Sequence, residues 1–556
     1  MIPAVTNRRL LPFVAVLVIA LASLAGGYYQ SGPPSKPAPG TAREVDHRTL
    51  GFEEALSTVV DSYAGTVDLE LLGKSSIQGM LHQLDPHSTF FTKAEFDELQ
   101  TEQKSRIFGI GVSIAKRLDR VYIVSVTQGT PAQRAGLKYG DAIMAIDGQN
   151  VEEWTSEQVM HRVRGEKGDI VEVTVERPGV PNGITFRIRR DEVKLPSVRN
   201  AFMIGSSDTG YIALTGGFSS KTDEELNGAL DRLKREGMHQ LILDLRGNPG
   251  GLLDQAVEVA RTFLAPGEKI VEVRGREGRF PLRTIEVPEK NEPETMPMVL
   301  LINQGTASAS EVVAGALQDH DRALIVGESS FGKGLVQSVT RVWGGAGLLL
   351  TTQKYYTPTG RSIQRDYSSV SFYDYYLKRN SEGRASAGEP RGDGMPTDTG
   401  RTVYGGGGIT PDVEAKSPEA NPVRNRLFYG VFDFVRQLVA GQVQGFREYR
   451  VAETQYKPKA AAEDLDRYLV SDALVAAFRQ HIASRPQFGV SEEQFKANLA
   501  YVRTQLRREI VTAAYGPEAG DETYLAEDVQ LRKAVDSLDQ ARMLADNARR
   551  VRGDRQ

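Results

Sequence analysis

The chain has 556 residues, more than one hydrophobic core usually holds, so several domains are expected. Its net charge of −4 comes from 68 basic and 72 acidic residues interspersed along its length, which leaves no electrostatic footprint for nucleic acid. It has no cysteine, which excludes disulfides, thiolate metal sites, a cysteine nucleophile and a lipidated N-terminal cysteine; no H-E-x-x-H is present to seat a catalytic zinc. Arg8 and Arg9 precede a run from Leu10 to Tyr29 without a charge, long enough to span a bilayer and flanked so that the rest of the chain crosses it. Residues 1–30 read either as a signal peptide, with Ser23-Leu24-Ala25 as a small-x-small site, or as an uncleaved signal anchor, which the length favours. Both readings predict a bacterial envelope protein, periplasmic and either anchored in the inner membrane or secreted. Residues 31–44 form a Pro-rich linker. Residues 45–105 carry helical periodicity, with Phe52, Leu56, Val59, Val60 and Tyr63 on one apolar face and Ile77, Met80, Leu81 and Leu84 on another.

Residues 106–190 run through a Gly-interrupted strand, FGIGVSI, a second strand, VYIVSV, the stretch GTPAQRAGLKYGDAIMAIDGQNV, a helix from Ser156 to Arg164 and a strand from Ile170 to Glu176. This succession resembles a PDZ domain, a small β-sandwich or barrel-like fold. The resemblance implies binding by strand addition, with a peptide's terminal carboxylate on the backbone N–H groups of Phe108, Gly109, Ile110 and Gly111. On the same analogy Arg164 relays occupancy of that groove.

From Gly210 to Asp412 six apolar strand patterns (YIALTGGF, LILDLRG, KIVEVRG, MVLLINQ, ALIVGE and LLLTTQKYYT) alternate with helices at Thr222 to Glu236, Leu252 to Leu264 and Ser308 to Gln318. This predicts a layered α/β domain over residues 191–416. LDLRGNPGG ends a strand in a glycine pair before a helix, where free N–H groups can face a developing oxyanion. Residues 378–408, polar and rich in Gly and Ser, read as a flexible surface insertion, and residues 417–556 as amphipathic helices for which packing against the core is the default reading and dimerisation, gating or adaptor docking are compatible ones.

The stretch Met298 to Thr340 organises the rest. Its apolar run meets a tight turn, and a helix begins at once with Ser308, Ser310 and Glu311 at its mouth; a second apolar run leads to a lone Lys333, with no carboxylate between Glu328 and Thr340. A lysine acts as a base only when desolvated, and lowering its pKa from about 10.4 to about 7 costs about 5 kcal/mol. Gln337, four residues on, falls on the same side of the chain. Blander readings compete. Ser308 and Glu311 have capping-box spacing. GESSFGKG fits a phosphate loop up to the lysine, but Gly334 lacks the hydroxyl that would hold magnesium. Of seven histidines, His320 lies twelve residues from Ser308 on the same predicted helix, about 18 Å along its axis, and His87 reads as a structural hydrogen-bonder.

TASASEVVAGALQD followed by GESSFGKGLVQ is similar to the signature of the carboxyl-terminal processing peptidases, or tail-specific proteases, and LDPHSTFFT, TTQKYYTPTGRSIQ and GGGGITPDV match that family as well. The resemblance implies a crotonase-like α/β spiral core, Ser308 as nucleophile, Lys333 as general base 25 residues on and Gln337 as the residue that orients it. It also implies an oxyanion hole from the N–H of Gly250 or Gly251 with that of Ala309, and no metal or cofactor. The expected protein is a multi-domain α+β serine endopeptidase acting on substrates with free C-termini, with self-association or an adaptor protein as further partners. The rival from another class is a PDZ adaptor whose protease-like domain is an inactive scaffold.

Overall fold

The computed structural model describes residues 39–103, 107–193, 196–205, 207–368, 375, 393–418, 421–456 and 468–553. The Leu10 to Tyr29 run lies outside these residues; among the described residues no helix is long and apolar enough to cross a membrane. Helix α1 (Pro39–Ser62) starts within the expected linker, with Pro39 at the first helical position, where a missing N–H costs nothing. Helix α2 (Leu69–His82), capped by Asp68, leads to β1 (Thr89–Phe91) and α3 (Lys93–Gln103).

The next segment opens with β2 (Ile107–Gly109) and builds a sheet from β3 (Val112–Arg117), β4 (Arg120–Val126), β5 (Ala142–Ile146), β6 (Ile170–Glu176) and β7 (Ile184–Arg189), with β3 at one edge. Its helix α4 (Ser156–Val163) starts in a capping box between Thr155 and Gln158. Val121, Ile123, Ile143, Ile146, Val159 and Val173 form a closed core. Strand β8 (Asp191–Val193) pairs back to β2.

The protease-like region is layered, as the alternating pattern suggested, and holds two sheets. The first runs β9 (Asn200–Met203), β10 (Thr209–Ala213), β11 (Gln240–Asp244), β14 (Met298–Ile302), β15 (Leu324–Gly327) and β20 (Val413–Glu414), parallel from β10 onwards. Helices α5 (Thr222–Arg235), α6 (Leu253–Arg261) and α7 (Ala309–Asp319) cover one face. The second sheet is antiparallel and takes two of the six predicted strands, β12 (Lys269–Gly275) and β17 (Gly347–Tyr356), with β13 (Arg283–Glu286), β16 (Leu335–Arg341) and the N-terminal β1. Strand β14 is buried at all five positions, as a strand covered on both faces must be, whereas β17 is buried only at Gly347, Leu349 and Tyr355 and exposes Lys354.

Of the expected insertion 378–408, residues 378–392 lie outside the described residues, and its end folds into a hairpin of β18 (Gly394–Pro396) and β19 (Thr402–Tyr404). The hairpin is ordered because Asp321 at the end of α7 accepts from the Thr399 N–H at 2.7 Å and the Arg401 guanidinium at 2.6 Å. The C-terminal helices pack against the PDZ-like domain and the parallel sheet, as the default reading of residues 417–556 had it. Helices α8 (Pro422–Val439), α9 (Asp472–Ala483) and α10 (Leu499–Tyr515) pack on Tyr122, Tyr139 and Ala142 of the PDZ-like domain. Helices α11 (Val529–Asp536) and α12 (Leu538–Gly553) cover the open face of the parallel sheet through Leu531, Ala534, Leu538 and Ala541.

Candidate active site

Three adjacent parallel strands, β11, β14 and β15, end side by side, and in such sheets ligands gather at the carboxyl ends. The loops after them carry LDLRGNPGG, Ser308 and Lys333 in turn. The Ala307 N–H donates to the Asn248 carbonyl at 3.0 Å, the Thr306 hydroxyl to the Leu245 carbonyl at 2.8 Å and the Phe331 N–H to the Thr306 carbonyl at 2.8 Å, so the loops are laced together.

Ser308 caps α7 in a backbone conformation few non-glycine residues adopt, φ 56° and ψ −119°. Holding it there costs about 1–3 kcal/mol and points to a functional turn. Glu311 holds it. The buried Glu311 carboxylate accepts from the Ser308 N–H and the Lys333 N–H, both at 2.8 Å to Oε2, and from the Gly332 N–H at 2.6 Å and the Ser330 hydroxyl at 2.5 Å to Oε1. Ser330 Oγ in turn accepts from the Ile409 N–H at 2.6 Å, so its own proton is free to point at Glu311. Ser308 and Lys333 therefore share one carboxylate oxygen, and their backbone nitrogens lie within twice 2.8 Å of each other. Burial raises the Glu311 pKa, with these hydrogen bonds opposing it. The S-x-x-E spacing is thus a capping box, as its bland reading had it, and also the bridge to the lysine loop. Spacing alone shows the first role only.

Lys333 is fully buried, and burial lowers its pKa from 10.5 to about 7 against the opposing charges of Asp85 and Glu311. The absence of nearby carboxylates expected from sequence holds along the chain but not in space. Lys333 Nζ donates to Gln337 Oε1 at 3.1 Å, and the Gln337 amide donates to the His87 carbonyl at 2.6 Å. The N-terminal LDPHS segment thereby enters the site. Asp85 pins it, accepting from the His87 and Ser88 N–H groups at 2.8 Å each and from the Ser88 hydroxyl at 2.7 Å. The His87 ring lies 3.0 Å from the Tyr375 hydroxyl, and burial, then Lys333 and Arg365, hold its pKa well below the usual value. That neutral, buried ring fits a structural hydrogen-bonder.

Gly250 and Gly251 are glycines by necessity. At φ 96°, a Cβ on Gly250 would stand 2.7 Å from the Ala307 carbonyl oxygen and 3.0 Å from Ser308 Cβ; one on Gly251 would stand 2.2 Å from the Phe218 carbonyl oxygen. The Gly250 N–H is committed to Asn248 Oδ1 at 2.9 Å. Of the alternative donors, that leaves Gly251, whose N–H, like that of Ala309, donates to no group of the described residues. Asn248, which sequence reasoning passed over, thus selects between the two glycines.

In the PDZ-like domain the Ile110 carbonyl accepts from the Ala132 N–H at 2.8 Å and that of Gly111 from the Thr127 N–H at 3.0 Å. This fixes the segment Phe108–Gly111, which runs from the end of β2 through a turn, at the head of edge strand β3, with the Arg164 side chain beside Gly109. The one group among the described residues with metal-ligand spacing is Glu268, His320 and Asp398. Both His320 nitrogens already face acceptors, the Asp398 carboxylate at 2.8 Å and the Lys269 carbonyl at 2.7 Å, and Arg552 lies 2.8 Å from Glu268. The group is therefore an ion network and not a metal seat.

Comparison with known proteins agrees with this architecture. "Peptidase family S41" matches residues 208–368 and "PDZ domain" residues 98–176. The carboxy-terminal-processing protease of Bartonella bacilliformis is 37% identical over 56% of this chain and 72% of its own length. The carboxy-terminal processing protease CtpA of Bacillus subtilis is 32% identical over 65% of this chain and 76% of its own. A solved photosystem II D1 C-terminal processing protease is 26% identical with a TM-score of 0.38, covering 74% of this chain and 94% of that one. Relatives matched at this identity over most of their length place the protein: it belongs to the carboxy-terminal processing proteases of peptidase family S41, with a PDZ domain.

Proposed function

We propose that the protein is a serine endopeptidase that captures protein C-terminal tails in its PDZ domain and cleaves them with a Ser308–Lys333 dyad. The observation that carries this reading is the Glu311 carboxylate, which ties the backbone of Ser308 and of the buried Lys333 to a single oxygen. With its pKa near 7, Lys333 is largely neutral in mildly alkaline solution and takes the Ser308 proton as Oγ attacks the scissile carbonyl. The amides of Gly251 and Ala309 hold the tetrahedral oxyanion. The lysine then protonates the leaving amine, and later deprotonates the water that frees Ser308. Gln337, anchored on the His87 carbonyl, keeps the ammonium pointed at its work. The segment Phe108–Gly111 receives the tail's terminal carboxylate, and Arg164 beside it relays occupancy. The charge-free run at Leu10 to Tyr29 supports an exported protein, periplasmic and either anchored at the inner membrane or released.

Ser308→Ala and Lys333→Ala should each abolish cleavage of a peptide with a free C-terminus while leaving circular dichroism unchanged. Amidating that terminus should weaken capture by the wild type. Turnover near normal in either variant sinks the dyad, and equal cleavage of free and amidated peptides sinks tail recognition. The rate should rise with pH through about 7 and fall away below it as Lys333 takes up its proton. A profile flat from pH 6 to 9 is the contrary result.

A further inference from the structure

Three arginines line one cavity where the far end of α7 meets the last turns of α12. The cavity, about 320 Å³, is walled by Arg322 just after α7, by Arg549 and Arg552 of α12, and by the chain around Phe263 and Pro293. Arg322 is 6% exposed. Its Nε donates to the Phe263 carbonyl at 3.0 Å, and its Nη2 to the carbonyls of Glu294 and Met296 at 2.7 and 2.9 Å. Nη1, equally buried, meets no acceptor among the described residues. Carbonyls satisfy N–H groups but bring no counter-charge, and a buried cation left uncompensated is unfavourable. Arg549 and Arg552 add to the cost: burial first, then their two charges, pull the Arg322 pKa from 12.5 down to about 10. Glu268 and Glu294 offset this only in part, being engaged by Arg552 and Lys234. Asp321, also in the wall, is taken up by Arg401. Arg549 spends one N–H on the Thr295 carbonyl at 3.1 Å, and Arg552 spends one on the His320 carbonyl at 2.8 Å and another on Glu268, so both keep donors to spare.

We propose that this cavity binds a phosphate group, free or as the monoester of a small molecule, between Arg322, Arg549 and Arg552. Guanidinium forks match the geometry of phosphate and carboxylate oxygens. Charge separates the two: Glu268 cancels one of the three guanidinium charges, and Asp546, half exposed at 3.7 Å from Arg549, opposes weakly. A dianion balances the remaining excess better than a single carboxylate does. Phe263, Pro293, Ala545 and Ala548 supply an apolar wall with room for the body of an ester. The site lies at the opposite end of α7 from Ser308 and uses none of the proposed catalytic residues, so it stands apart from the catalytic reading.

The full-length protein, dialysed free of phosphate, can be titrated by calorimetry at pH 8, where a phosphomonoester is a dianion. Inorganic phosphate and glycerol 3-phosphate are the probes, with sodium acetate at matched ionic strength as control. One phosphate probe or both should bind at one site per chain, and the tighter of the two identifies the source. At saturation the thermal midpoint should rise by about 2 °C or more. Arg549→Gln and Arg552→Gln change side chains that are 52% and 25% exposed, so the fold should survive, and each should weaken binding about tenfold or more. Arg187→Gln, at a 69% exposed side chain of the PDZ-like sheet, should leave affinity unchanged. Four results would overturn the inference: no binding of either phosphate probe, affinity unchanged in both α12 variants, an equal loss in Arg187→Gln, or acetate binding as tightly as phosphate.

Discussion

The two ends of helix α7 bury carboxylates equally well and pair them in opposite ways. At the start, Glu311 is met only by neutral donors, three backbone amides and a hydroxyl. At the end, Asp319 meets the Arg361 guanidinium at 2.6 Å with both side chains almost fully buried, and Asp321 meets Arg401 at 2.6 Å. Charge-on-charge pairs at the far end make a rigid anchor. A neutral cradle near the site holds geometry without adding a fixed cation beside Lys333, whose proton has to come and go. The far anchor still reaches the site through the chain: Arg361 leads to Gln364, which accepts from the Gly334 N–H at 2.9 Å, and to Arg365, whose N–H donates to the Gly332 carbonyl at 3.0 Å.

The comparison predicts a division of labour that substitutions can break. Asp319→Ala strands the buried Arg361 and should cost about 3–5 kcal/mol of unfolding free energy, the toll of removing one partner of a buried pair. Urea titration reads it directly, and a loss under 1 kcal/mol would show that the anchor is dispensable. Glu311→Gln should be milder for the fold and more specific for activity. A carboxamide offers one acceptor oxygen where the carboxylate offered two, so either the Ser308 and Lys333 amides together or the Gly332 amide and the Ser330 hydroxyl lose their acceptor, and the cradle that joins the two loops is broken on one side. Activity should fall about 10- to 100-fold, or about 1.4–2.7 kcal/mol. Because the Glu311 charge raises the Lys333 pKa, the acid limb of the rate profile should also move to lower pH. An unchanged limb with reduced activity would mean that Glu311 acts on Ser308 alone.

The same two ends explain what sequence could reveal. Ser308, Lys333, Gln337 and the glycine pair stood out because their chemistry leaves local marks: a turn after an apolar strand, a lysine without carboxylate neighbours in the chain, a glycine doublet before a helix. The α/β and helical regions followed from periodicity in the same way, whereas the PDZ region was read from its resemblance to that family. Glu311 was visible but ambiguous, because its bonds to Gly332 and Lys333 are set by which strands lie adjacent, and spacing carries no adjacency. Arg361 and Arg401 were invisible as partners of α7, being more than 40 residues from it in sequence. The split into two sheets was hidden for a like reason: KIVEVRG reads as an apolar strand whichever sheet receives it, and only its pairing with β17 decides.

His320 gives the finest test of the contrast between the two ends. It follows Asp319 as the cap of α7, with Nδ1 on Asp398 of the β18–β19 hairpin and Nε2 on the Lys269 carbonyl. Burial alone would lower its pKa, yet Asp398, Glu268 and the Lys269 carbonyl outweigh it and raise the value above 6.5. A histidine whose folded pKa is raised adds stability that is fully present below about 6.5 and is lost as pH rises through the folded value. The far anchor should therefore loosen slightly under alkaline conditions, the opposite sense to Lys333, which needs them. Asp398→Asn should remove about 1 kcal/mol at pH 6 and distinctly less at pH 9, measured as the difference between wild-type and variant urea midpoints. If the difference is the same at both pH values, His320 is neutral throughout and the end of α7 is fixed by its arginines alone.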